Sequence, residues 1–178
     1  MTEALAREKV KILEEDFYRW DPHGQTTPQH WIKIEKDNKA LTKSKYEGHE
    51  DFTPMLSEPN FMVVCKSKAK SSDSAFNLAP CSIALYTKYN QTLLGDITKY
   101  INEGNSFGFT ITFKDFYENG PKPFAETVCK EVTLNEISFS TTREEMRLKF
   151  SYVEIEQKQN SDKGATTLSI DLRKTQGK

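Results

Sequence analysis

The chain has 178 residues, 36% hydrophobic, 11% aromatic and 29% charged, with 25 basic residues against 26 acidic ones. A chain of this length can bury about 70% of its unfolded surface, so one domain needs no disulfide or metal staple. The even charge balance excludes a duplex-DNA clamp, whose phosphate contacts need a Lys/Arg surplus. Mean hydropathy is −0.69, and no apolar run approaches the roughly 18 residues of a membrane helix. The chain is therefore expected to bind neither nucleic acid nor membrane. Met1 to Glu8 lacks a basic stretch leading into an apolar one, so no secretory signal peptide is expected. Cys65, Cys81 and Cys129 are odd in number and far apart. They are expected to be reduced, mostly buried thiols of a cytoplasmic protein.

In chain order, residues 3–20 predict an amphipathic helix. Val10, Leu13, Phe17 and Trp20 recur in steps of three and four and form one apolar stripe. Asp21-Pro22-His23-Gly24 stops it, so residues 1–28 form a helix and linker ahead of the main domain. The stripe can pack on the parent domain or on another subunit, and the parent domain is the simpler expectation. His30–Glu35 alternates as a strand. Residues 36–59 then lose periodicity, with Lys36, Lys39, Lys43 and Lys45 marking a solvated stretch. A loop of that length in a compact domain is functional or disordered, which makes it the first place to look for a binding element.

Phe61–Cys65 is a continuous apolar run, expected to be a strand buried on both sides. Lys66–Ser74 reads as a connector and Cys81–Tyr86 as a further strand. A helix is predicted from Thr92 to Glu103, with Leu93, Leu94, Ile97 and Ile101 on one stripe and Gly104 at its C-terminal cap. Phe107, Phe109, Ile111 and Phe113 then alternate as a strand. Glu118 to Pro123 is a hairpin break carrying Asn119-Gly120. Val128, Lys130, Val132 and Leu134 share the next face. The apolar parity flips to Ile137 and Phe139, predicting a bulge near Asn135-Glu136. Thr141–Glu145 turns the chain into a strand through Met146 and Tyr152, continued on the opposite face by Val153 and Ile155. Asn160 to Gly164 is a turn before the last strand, Thr167–Leu172. Residues 29–173 thus read as one mainly β domain, a small antiparallel barrel or sandwich with one inserted α-helix and an extra N-terminal α-helix. Residues 174–178 are a tail.

No reactive constellation is announced. His23, His30 and His49 form no HExxH run, no i, i+4 pair and no CxxC partnership, so neither a metal nor a cofactor is expected. No P-loop, dinucleotide fingerprint or G-x-S-x-G elbow occurs, and Gly104–Gly108 enters a strand rather than opening a helix. An enzyme with a dispersed site, drawn from the three scattered histidines and three scattered cysteines and testable at His30 and His49, is the least favoured reading, and the expectation is that the chain is not an enzyme. Tyr46 and Phe52 in the long loop, and Phe116-Tyr117 at the hairpin, sit among polar residues rather than on a periodic face. They either plug their own loop onto the domain or anchor a subunit interface, where Tyr and Phe are enriched.

The order strand, helix ending in Gly, strand, hairpin, strand, turn, strand over residues 76–156 is similar to one known family. With Val132-Thr133-Leu134-Asn135-Glu136-Ile137-Ser138 and Leu148-Lys149-Phe150-Ser151-Tyr152-Val153-Glu154-Ile155, it resembles the C-terminal half of the Hcp family, the tube protein of bacterial type VI secretion systems. Contractile-phage tail-tube proteins resemble the same fold. The resemblance implies a small barrel of two packed sheets that assembles into hexameric rings, stacked as a tube inside a contractile sheath. It implies partners in a homo-oligomer, a sheath, a spike and effector proteins. It implies expulsion from the cytoplasm without a signal peptide. An early loop bridges stacked rings in that family, and 36–59 is its counterpart by position. Hcp proteins begin almost at once with the first strand, whereas about 28 residues precede it here. Thr141–Glu145 stands where the family has a glycine-rich turn. The alternative reading is a lipocalin-like module with a small-ligand cavity.

Overall fold

The computed structural model describes residues 30–65, 76–116, 122–161 and 164–175. The leading helix expected at 3–20 and the Asn119-Gly120 turn lie outside them. Eleven strands appear among the described residues: β1 His30–Lys36, β2 Lys39–Ala40, β3 Thr53–Pro54, β4 Val63–Cys65, β5 Phe76–Leu78, β6 Cys81–Tyr86, β7 Phe109–Phe116, β8 Pro123–Ser140, β9 Glu145–Ser151, β10 Glu154–Ser161 and β11 Gly164–Asp171. Helix α1 is Gln91–Asn102 and a short α2 is Leu172–Thr175, spanning the boundary expected between domain and tail.

The long strand β8 organises the fold because it belongs to two layers. Its first half pairs with β7 and β10, and its second half pairs with β9. One layer runs β11-β10-β8-β7-β1-β2, with β3 also on β1; the other is β6-β9-β8. The turn between layers is made by extra residues in β8. Phe109 faces Val132 while Ile111 faces Cys129, which leaves one residue too many on β8, and Glu131 there has φ +51. The bulge expected near Asn135-Glu136 is present: Leu134 faces Phe150 and Glu136 faces Lys149, leaving Asn135 over. Bulges bend a strand and sharpen its twist, which is what a strand shared by two layers requires. Closure is incomplete. A single bridge from Met55 to Leu85 links the end of β3 to β6, so the architecture is a mostly antiparallel two-layer β fold without a fully paired barrel wall.

The two inner faces meet in one core. Ile32, Ile34, Phe109, Ile111, Phe113 and Cys129 from one layer pack against Ile83, Leu85, Met146, Leu148 and Phe150 from the other. Each such side chain contributes about 1.5–3 kcal/mol of burial. Helix α1 covers one side with Leu93 and Ile97. Its end is built as the sequence predicts: Gly104 takes φ +69 and donates to Ile101 O, and Asn105 donates to Tyr100 O at 2.8 Å. Ile101, expected on the buried stripe, is exposed, because the chain turns away one residue later at the cap.

Three further expectations are corrected. The stretch 36–59 is not simply solvated. Asp37 (φ 52) and Asn38 (φ 61) form a two-residue turn that starts β2, and Leu41, Thr42, Phe52, Thr53 and Met55 are buried. Lys36 is buried too, its ammonium donating to Phe107 O and lying over the rings of Tyr100, Phe107 and Phe109. The apolar run at 61–65 is not a strand buried on both sides. β4 pairs only with β5, off the main sheet, and Met62, Val63 and Val64 are exposed. Phe107 does not extend β7: Gly108 takes φ +76 and turns Phe107 out to solvent.

Candidate interaction surface

Two adjacent residues of β1 begin the outer face of the molecule. Ile32 points into the core, so Trp31 points out, where it founds a second apolar cluster with Phe52 and Phe116, flanked by Tyr46. The loop carrying Tyr46 and Phe52 is tied to itself. Thr42 Oγ1 donates to Asp51 O at 2.6 Å, Ser44 Oγ donates to His49 O at 2.7 Å, and Phe52 N donates to His49 O at 2.9 Å. These bonds turn the His49 ring into the cluster, 4.8 Å from Trp31, 5.5 Å from Tyr46 and 5.3 Å from Phe116. Lys33 and Lys114, on the neighbouring strands, hold their ammonium groups 5.4 and 4.6 Å from the Phe52 ring. Glu50 accepts from its own amide and from Gly48 N, which hold its carboxyl below the usual range.

Of the four aromatics singled out in the sequence, Phe52 and Phe116 are thus buried in their own subunit and Tyr46 is half-buried. Tyr117 lies outside the described residues. The structure brings the first three together on Trp31, a partner not singled out in the sequence because Trp31 sits in an ordinary alternating strand. It also brings His49 into the cluster. His30, at the start of β1, holds its Nδ1 2.6 Å from Asp115 Oδ1.

Nothing among these groups forms a nucleophile–base pair. Cys81 and Cys129 are buried; desolvation pushes the Cys81 thiol up to about 11 and raises Cys129 further. They are protonated and inert at neutral pH. The Cys65 side chain lies outside the described set. Among the described residues, no three His, Cys, Asp or Glu side chains gather in a metal-binding group. No described helix is long and apolar enough to cross a membrane. A concavity of about 200 Å³ lies on the rim of the β8–β9 hairpin, lined by Ser138, Phe139, Ser140, Arg143, Glu145 and Arg147. It is not the interior cavity a lipocalin-like module needs, and the space between the layers is filled by Phe109, Phe113 and Phe150.

What the surface offers is contact area. Phe139 is 63% exposed at the far end of β8, beyond the reach of the core, and Phe107 and Leu168 are more than half exposed. Leu168 lies on β11, an edge strand. β11 pairs with β10 on one side, and no strand among the described residues pairs with its other side. Residues 165–170 of that edge are Ala, Thr, Thr, Leu, Ser and Ile, without a charge or a proline. Charges, prolines and bulges are what monomeric proteins place on edges to prevent pairing.

No protein-family model and no curated protein matches this chain. Solved structures do. The chain is similar to Hcp1 from E. coli EAEC 042, with TM-score 0.64 and 8% identity, over 81% of this chain and 99% of that one. It is similar to Hcp1 from Salmonella typhimurium, with TM-score 0.60 and 12% identity, over 83% of this chain and 97% of that one. A type VI secretion system effector from Yersinia pestis matches with TM-score 0.57 and 15% identity, over 79% and 98%. At these identities the likeness is one of fold, and the fold of this chain is that of the Hcp proteins.

Proposed function

We propose that the chain is a structural subunit of the inner tube of a contractile, type VI-like secretion machine. The observation that carries this reading is the match of nearly the whole length of Hcp structures by the β domain of this chain. The surface supports it: the described residues offer exposed apolar contact area at Phe107, Phe139 and Leu168. In this reading the subunits close into hexameric rings, and the uncharged outer edge of β11 pairs with a strand of the next copy. That contact is heterologous, the same two patches repeating round the ring until it closes. Rings stack through the loop rooted on Trp31. Phe52 and Phe116 hold that loop down from within, and Tyr46 meets the next ring; Tyr117, next to Phe116 in sequence, is assigned to the same contact. The stacked tube meets sheath, spike and effector proteins. It leaves the cytoplasm through the machine.

Light scattering and negative-stain electron microscopy of the purified chain test this directly. Rings or stacked tubes at micromolar concentration are the expected result. A strict monomer at millimolar concentration overturns it.

A further inference from the structure

The edge strand β11 gains little from apolar burial. Its residues from Gly164 to Ser169 are exposed, whichever face they point to. Burial begins only at the far end, where Ile170 packs on the core and Asp171 is buried. Much of a strand's hold on its sheet comes from side chains packed on their neighbours, so β11 depends on its ladder to β10 and on what fastens its ends. The chain fastens the first end, since two residues separate Ser161 of β10 from its partner Gly164. The far end needs a fastening of its own.

Side chains supply it. Lys130 of β8, Glu154 of β10 and Asp171 of β11 stand side by side in one row across three strands. Like charges directly opposite each other in a ladder repel, and these two carboxylates are nearly buried, with 13% of the Glu154 and 7% of the Asp171 side chain exposed. Lys130 Nζ lies 3.3 Å from Glu154 Oε1. Arg173 folds back over the row. Its Nε donates to Asp171 Oδ1 at 3.1 Å, and one terminal nitrogen donates to Asp171 Oδ2 at 3.2 Å and to Glu154 Oε2 at 2.7 Å. Its backbone amide donates to Asp171 Oδ1 at 2.9 Å. The hydrogen bond to Asp171 foremost, then the charges of Asp171, Glu154 and Glu131, raise the guanidinium pKa above its ordinary value. An isolated exposed ion pair is worth little. Here a planar fork reaches two nearly buried carboxylates on neighbouring strands at once, which the point charge of a lysine does not do.

We infer that Arg173 is a positioning residue: it clasps the end of β11 to β10 and keeps the outer edge seated for a second copy of the chain. Resting on the reading that copies meet at β11, Arg173 prepares the edge for that contact. Without it the two carboxylates still oppose each other and the bridge between their strands is gone, so β11 peels from its far end. A frayed edge is no template for a neighbour, and re-ordering it adds an entropy cost to assembly.

Hydrogen exchange of the full chain below its assembly concentration reads the clasp, and light scattering reads assembly. Arg173→Met is expected to speed exchange across residues 164–171 at least about tenfold while residues 109–116 of β7 exchange as in the wild type. Adding Asp171→Asn removes the charge opposed to Glu154 and is expected to bring exchange back to within about twofold of the wild type. The concentration needed for assembly is expected to rise at least about twofold in Arg173→Met, because only the seated fraction is competent, and to recover in the double variant. Unchanged exchange in Arg173→Met overturns the inference. So does a rise shared equally by β7, which marks general destabilisation, or a rise that Asp171→Asn does not relieve. If β11 loosens while assembly is unchanged, Arg173 prepares no contact and the inference fails, with rings still formed elsewhere. If β11 loosens as expected but the wild type itself never assembles, the clasp stands and the tube reading fails.

Discussion

The ammonium of Lys36 lies 3.6 Å from where a β-carbon on Gly108 would sit. That closeness lets Lys36 reach past Gly108 to the carbonyl of Phe107 and lie over three aromatic rings. The pair fixes how the chain passes from the cap of α1 into β7. Gly108→Ala must place a side chain at φ +76 and against the ammonium, so a loss of about 1–2 kcal/mol is expected. Lys36→Met keeps the bulk but removes the hydrogen bond and the cation–π contacts, and a loss of about 1–2 kcal/mol is expected. Urea unfolding of each variant measures both. Because the residues share one contact, the double variant should lose less than the sum.

The glycines around α1 separate two kinds of cost. Gly95 sits on the exposed side of the helix, and an added β-carbon meets nothing within 4 Å. Gly95→Ala is expected to stabilise by up to about 1 kcal/mol, the helix-propensity difference. Gly104 has equally open surroundings but takes φ +69. Gly104→Ala is expected to destabilise by about 1 kcal/mol through backbone strain alone. Thermal melts of the two variants should move in opposite directions.

These positions also show what was legible in the sequence. Periodicity and caps are local signals, so α1, its Gly104 cap, β6, and the parity flip that marks the Asn135 bulge could all be read. Burial set by distant partners could not. Lys36 looks solvated until a segment 71 residues away closes over it. Met62–Val64 reads as a buried strand because apolar runs look alike whether or not a second layer exists to cover them. The Asp37-Asn38 turn lacks the glycine that marks most such hairpins, although Asp and Asn tolerate positive φ. At the surface, Tyr46, Phe52 and Phe116 stood out as aromatics off a periodic face. Their common anchor, Trp31, did not, because its strand alternates normally and only the return of the loop gives its outer face a role.

The buried thiols give a pH dependence with a definite sign. Cys81 is raised from an ordinary value of 9.0 to about 11, by desolvation foremost, and Cys129 and Tyr152 are raised in the same sense for the same reason. Each is held in its neutral form by the fold and ionises freely when unfolded. The unfolded state therefore binds fewer protons above pH 9, and stability falls as pH rises. Below pH 9 these groups leave stability flat; between pH 9 and 11 the urea midpoint is expected to drop. Cys81→Ala should shallow that slope without changing its sign. In the same range, Cys81 and Cys129 should react with a thiol reagent only as fast as the protein unfolds.

The edge of β11 supplies the sharpest test of assembly by substitution. Leu168 pairs with Gln157 of β10 and is 54% exposed, so a lysine there costs the isolated subunit little. Surface changes of that kind stay within about 0.5 kcal/mol. On an edge meant to meet a second copy, the same lysine is a block: it places an unpaired charge at each repeat of the contact. Leu168→Lys is therefore expected to leave the thermal midpoint within a degree or two and to raise the concentration needed for ring formation at least about tenfold. Arg147→Ser, on the outer face of β9 where Glu145 already pairs with it at 2.7 Å, serves as the matched change of a surface charge away from the edge. It should leave assembly unchanged. If both variants form rings as readily as the wild type, the copies meet elsewhere than at β11.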